Sequence, residues 1–236
     1  MNLQFNKQKP LELNKAYSKN GYAHISDFFK ENQIKSLQSQ LAGLDEWQRV
    51  LSQGGTHYAL LPDERRVMTT KHIKSLEQIA FNEAGKGYHT YLHDHVCLEE
   101  ARTDNSAPRF LRGISESFNE YDFLEFARTV TGDTKINKVR VRLSRFGPGD
   151  FVTANNGNPK GSKRRAAFMV SLNVKWHSDW GGQLQFFGDD GHVQSGMTPK
   201  FNHMCIFKVP LDHAISQVSL FAQEKSYKIF GWLLEE

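Results

Sequence analysis

Cysteine is nearly absent from this chain. Cys97 and Cys205 are the two among 236 residues, too few for a disulfide framework, which points to a reducing compartment. No apolar run reaches the roughly 20 residues that a membrane-spanning helix needs. The opening stretch, Met1 to Pro10, has no apolar segment of the kind a secretory signal requires. The expected location is therefore the cytoplasm, with no membrane partner. Charge of one sign is also scarce. The formal net charge is +4, which does not by itself call for nucleic acid. The densest basic run, Lys160, Lys163, Arg164 and Arg165, reads as a solvated loop, and residues 155–161 offer no aromatic ring for base stacking. No repeat, low-complexity tract or long Pro/Gly linker divides the chain, and neither a G-x-S-x-G elbow nor a P-loop occurs.

What is present is an ordinary globular composition, 39% hydrophobic and 24% charged, with 17 Phe and 4 Trp. That is enough for one domain with a substantial, β-rich core. The first part reads as mixed. Gly21 to Ile25 forms a short strand; Ile34, Leu37, Leu41 and Leu44 recur at helical spacing, with Gly43 near the helix end. Ile73, Leu76, Ile79 and Ala80 mark a second helix that stops around Gly85. A third helical region runs from Phe110 to Val130, with Gly132 as its C-cap. From Asn137 the period changes to two, Val139, Val141 and Leu143 alternating with Arg140, Arg142 and Ser144. Gly-, Asn- and Asp-rich turns then separate several short strands, the pattern of an all-β sandwich or barrel. The chain is thus expected to be mixed α+β, a single domain in which 1–136 is a helix-rich support and 137–236 a jelly-roll core. In Y-H-T-Y-L-H-D-H, alternation places His89, His93 and His95 on one strand face. That spacing suits zinc, but an exposed polar face is the plainer reading.

Several phrases are more specific: G-P-G-D-F at 147–151, R-R-A-A-F at 164–168, D-W-G-G-Q-L-Q-F at 179–186, P-K-F-N at 199–202, F-K-V-P at 207–210 and G-W-L at 231–233. Their order resembles the catalytic jelly roll of the iron(II)/2-oxoglutarate oxygenases, in the bacterial prolyl-4-hydroxylase-like branch. The resemblance implies a cupin-like double-stranded β-helix with Fe(II) and 2-oxoglutarate as cofactor and co-substrate. Two His and one carboxylate would hold the metal. Carried over without a gap, the first His position falls on Asn155 and the carboxylate position on Gly157, while the distal His is kept as His213. The arginine that grips the co-substrate falls on Ser226. Lys228, two residues along and on the same strand face, is either a substitute cation or a solvent-facing residue. A glycine in place of the carboxylate also marks the halogenases of this superfamily, but those keep both imidazoles.

His177 and Asp179 form an alternative His-x-Asp metal pair, with a plain surface turn as the other reading. Arg142, Arg145 and Arg165 are candidates for anion binding. The expected function is that of an oxygenase-fold protein with its metal and 2-oxoglutarate positions largely replaced. It would act by binding a protein partner or a small anion. The alternative is an active oxygenase with a non-standard metal site, in which His213 is a retained ligand and a peptidyl or free amino-acid side chain is hydroxylated.

Overall fold

The computed structural model describes residues 3–6, 8–103 and 107–236. In chain order the elements are α1 (Pro10–Asn20), β1 (Tyr22–Ile25), α2 (Glu31–Ala42), β2 (Gln48–Gln53), β3 (Thr56–Leu60), α3 (Pro62–Val67), α4 (Thr70–Gly85), β4 (Tyr91–Cys97), α5 (Leu98–Thr103), α6 (Arg109–Asn119) and α7 (Tyr121–Thr131). The jelly-roll strands follow: β5 (Lys138–Phe146), β6 (Phe151–Asn155), β7 (Arg164–Ser171), β8 (Leu184–Phe187), β9 (Val193–Met197), β10 (His203–Lys208), β11 (His213–Ile215) and β12 (Ser226–Leu234). Among the described residues no helix is long and apolar enough to cross a membrane.

The expected helices form for the reasons read from their spacing. Helix α2 buries Ile34, Leu37 and Leu41 along one face. Helix α7 ends where Gly132 takes a left-handed conformation and its amide bonds the Arg128 carbonyl at 2.8 Å. The stretch from Phe110 to Val130 is two helices rather than one region, because Glu120 is extended (φ −69°, ψ 154°) and breaks the run. Helix α1 and the β2–β3 hairpin carried no clear periodicity, and only the structure places them.

One continuous antiparallel sheet curls through the molecule in the order β1-β10-β7-β12-β5-β4-β6-β11-β8-β9, with β2 added on β4 and β3 on β2. Strand β12 pairs with β5 along its whole length and with β7 on its other edge. Alternation along these strands feeds two cores. Val139, Val141, Leu143, Phe168, Val170, Ile206, Ile229 and Leu233 pack towards the helices. Phe146, Ala167, Met169, Cys205, Phe207, Phe230 and Trp232 pack inside the roll. The polar members of the period-two pattern, Arg142 and Ser144, thus face the interior cavity rather than solvent.

A buried ionic cluster ties the N-terminal elements to the roll. The Arg49 guanidinium on β2 donates to both Asp150 oxygens (2.6 and 2.9 Å), to Asp94 (3.3 Å) and to Glu77 on α4 (2.8 Å). Arg65 and Arg145 also bond Asp94. Burial alone would raise the Asp94 pKa, but Arg49, Arg65 and Arg145 outweigh it and hold the carboxyl low. Asp150 also closes its turn by accepting the Gly147 amide at 2.8 Å. Removing one partner from such a cluster strands the others. Arg49→Ala is expected to cost about 3–5 kcal/mol in urea unfolding, against about 0.5 kcal/mol or less for Arg66→Ala in an exposed pair. Equal shifts of the two midpoints would show that the cluster does not fasten the fold.

Candidate functional site

A cavity of about 230 Å³ lies inside the roll, between the β5–β12 wall, strand β4 and the β6–β11 pair. Strand β5 contributes Arg142, Ser144 and Phe146 to it; β12 contributes Lys228, Phe230 and Trp232; β4 contributes Tyr91, His93 and His95. Asn155, Gly157 and His213 line the same cavity, as do His57, His89 and Arg164. Among the described residues no Asp or Glu lines it.

The register brings the three strand-end positions together. Asn155 is the cross-strand partner of His213. Gly157 follows in a left-handed conformation (φ +72°), and a Cβ there would stand 3.1 Å from His213 Cε1. His213 Nδ1 donates to the Leu211 carbonyl at 2.7 Å. That bond fixes the tautomer and leaves Nε2 with its lone pair. The Asn155 amide is already used: its Oδ1 accepts the Gly157 amide at 3.0 Å, and its Nδ2 donates to the Thr153 and His213 carbonyls. One imidazole, an engaged amide and a residue without a side chain are a poor donor set for Fe(II), which favours imidazoles with a carboxylate. Among the described residues no three His, Cys, Asp or Glu side chains converge on a metal-sized space.

Lys228 is 1% exposed, so its solvent-facing reading is corrected: strand alternation turns it inward. Its Nζ donates to Ser226 Oγ and sits 5.3 Å from the centre of the Phe146 ring. The amine thus reaches Ser226, the residue on which the resemblance places the co-substrate arginine. Ser144 and Ser171 flank Lys228 in cross-strand register on either side. Lys228 has no ion pair with a carboxylate among the described residues, and burial lowers its pKa to about 7. Arg142 and Arg164 both face the ring of Trp232, at 5.2 and 4.4 Å from its centre. Arg164 also donates to the Gly157 carbonyl at 2.9 Å, and its pKa is lowered to about 10 by burial first and then by Arg142 and Arg140.

The histidines of β4 correct a second expectation. They do not form an exposed strand face. His95 is 4% exposed. His93 stacks on Phe146 (4.7 Å between ring centres) with its buried Nδ1 making no hydrogen bond. Burial lowers the pKa of both, that of His95 to about 3, so the rings are neutral at physiological pH. The basic run is corrected as well. Arg164 points inward, while Arg165 points out to Asp133 at 2.6 Å. Arg145 is committed to Asp94, so of the three arginines considered for anion binding Arg142 alone faces the cavity. His177 and Asp179 are exposed on a short 3-10 turn outside the cavity, with the His177 ring against Trp180. Beyond Trp232 the cavity shares Arg142 and Arg164 with an outer groove of about 850 Å³ that carries Lys138, Arg140, Lys160 and Lys163.

The curled antiparallel sheet with its helical support is a double-stranded β-helix. Residues 141–234 match the family model described as the 2OG-Fe(II) oxygenase superfamily. The chain's structural relatives include prolyl hydroxylases and a 2OG-Fe(II) oxygenase family protein. A Pseudomonas putida prolyl-4-hydroxylase aligns at TM-score 0.61 and 12% identity, covering 97% of this chain and 100% of that one. A Trichoplax adhaerens prolyl hydroxylase, in complex with a hypoxia inducible factor oxygen degradation domain peptide fragment, aligns at TM-score 0.66 and 16% identity over 97% and 91% of the two chains. A Burkholderia pseudomallei 2OG-Fe(II) oxygenase family oxidoreductase aligns at TM-score 0.63 and 10% identity over 100% and 96%. No curated protein sequence matches the chain. At these identities the likeness establishes the fold, and a fold does not assign an activity.

Lys228 carries a stability signature of its own. An unfolded lysine keeps its proton to about pH 10.4, whereas the folded one loses it near pH 7. Between those values the unfolded chain binds more protons, so the burial penalty shrinks as pH rises and is complete below pH 7. Lys228→Met is expected to raise stability by on the order of 3–5 kcal/mol at pH 6 and by much less at pH 10. Urea titrations at the two pH values measure the difference. A gain independent of pH would mean that the amine is not charged at a desolvated site.

Proposed function

We propose that this chain is an oxygenase-fold protein that acts by binding a small carboxylate in its cavity, and that iron(II)-dependent oxidation is not its activity. The observation that carries this reading is the charge of the wall: the Arg142 and Arg164 guanidinium groups face the cavity beside the Lys228 amine, and among the described residues no acidic side chain lines it. An iron site of the family kind needs a carboxylate. An anionic ligand needs the reverse, buried cations with no carboxylate of the protein's own. A guanidinium takes a carboxylate in two parallel hydrogen bonds, and neutral imidazoles add hydrogen-bonding groups without charge. The anion would also relieve the mutual repulsion of Arg142 and Arg164 over Trp232. A protein partner is the other form a binding role could take; two guanidinium groups facing one small cavity favour the small anion.

Calorimetry tests this directly. Succinate is expected to bind, and Arg164→Ala to weaken it about 10- to 100-fold, the loss of one or two charge-assisted bonds. Mn(II) is expected not to bind at micromolar concentrations. Micromolar Mn(II) affinity that disappears in His213→Ala would overturn the proposal. Asn155→His with Gly157→Asp is expected to create Mn(II) affinity, since the new carboxylate begins beside the His213 ring.

A second reading draws on the open Nε2 of His213 in a cavity that also holds four other imidazoles. It is an oxygenase with a displaced metal, hydroxylating a peptidyl or free amino-acid side chain. Succinate formed from 2-oxoglutarate with iron and ascorbate, and lost in His213→Ala, would put that reading in place of the first.

A further inference from the structure

We infer that the cavity captures its ligand covalently, with Lys228 condensing with an aldehyde or ketone group on a small carboxylate to form an imine. The inference rests on the anion-binding reading and adds the chemistry of the amine. A primary amine becomes a nucleophile when an apolar, carboxylate-free site keeps it from holding a proton. Lys228 meets that condition: it is buried, it faces the Phe146 ring, and its one hydrogen-bond partner among the described residues is the neutral Ser226 hydroxyl. The lowered pKa agrees with this environment.

The surroundings match the steps of condensation. The Nζ lone pair adds to the carbonyl carbon, and one N–H proton passes to the carbonyl oxygen to give a carbinolamine. The second N–H proton passes to the hydroxyl as the C–O bond breaks, and water leaves. Amine and carbonyl thus become imine and water, with no change of oxidation state. The carbinolamine hydroxyl needs partners that donate and accept. Ser144 and Ser171 flank the lysine in register, and Ser171 Oγ and His93 Nδ1 are buried without a hydrogen bond. Arg142 lies two residues from Ser144 on β5, about 7 Å along the strand. A carboxylate a few bonds from the carbonyl can reach its guanidinium while the carbonyl meets the amine.

The test uses the full chain with succinic semialdehyde, with and without sodium cyanoborohydride, read by intact mass and peptide mapping. Reductant-dependent labelling is expected at Lys228, about tenfold or more faster than at the exposed Lys71, because the buried amine is desolvated and faces a cavity that holds the ligand's carboxylate. Butanal, which lacks the carboxylate, is expected to label Lys228 more slowly, and Lys228→Arg is expected to abolish that label. An unmodified Lys228, labelling no faster than Lys71, or equal rates with butanal would overturn the inference. Succinate calorimetry on the same sample separates the two failures. If succinate binds while Lys228 stays unmodified, covalent capture alone falls. If succinate does not bind, the anion-binding reading falls as well.

Discussion

Strand β12 is hydrogen-bonded along both edges, to β5 on one side and β7 on the other. A strand held in that way cannot slip by one residue without turning every side chain to the opposite face. Ile229 and Leu233 are thereby committed to the core beneath the helices. Lys228, Phe230 and Trp232 are committed to the cavity. The same ladder aligns Arg142 and Ser144 beside them and sets Ser171 opposite the lysine. The charge and nucleophilicity of the cavity follow from this one register.

The molecule treats its buried charges in two ways. Around Arg49 each charge has an opposite partner, and the cluster joins helix α4, strands β2 and β4 and the turn at Asp150. Around the cavity the cations have no carboxylate partner among the described residues. Desolvation there is offset only by a serine hydroxyl, a backbone carbonyl and aromatic faces. Leaving cations unpaired costs stability. A fold retains that cost most readily where an external anion removes it, which is why the unpaired set and not the paired one marks the candidate site.

Much of the fold was legible in the chain. The period-two run after Asn137 and the phrases from Gly147 to Leu233 indicated a double-stranded β-helix, and the 3.6-residue spacing of Ile34, Leu37 and Leu41 indicated a helix. The juxtaposition of Asn155, Gly157 and His213 followed from the resemblance, and the observed register brings them side by side. The β2–β3 hairpin escaped notice because Thr56–Leu60 is largely exposed and shows no apolar alternation. The cavity histidines were visible as a cluster but were assigned to solvent. Nothing local reveals that Tyr91–Cys97 is inserted between β5 and β6.

The sequence by itself determined the class of fold and the absence of a carboxylate at position 157, since local periodicity and residue identity need no partner to be read. It also determined that β12 would present alternate residues to opposite faces. The tertiary structure alone decided which face was the inside. It turned Lys228 and Arg164 away from water, gathered His57, His89, His93 and His95 around them, and sent Arg145 and Arg165 to carboxylates elsewhere. The physical reason is that the charge state and reactivity of these groups depend on desolvation and on neighbours distant in sequence, and both are set only when the sheet closes.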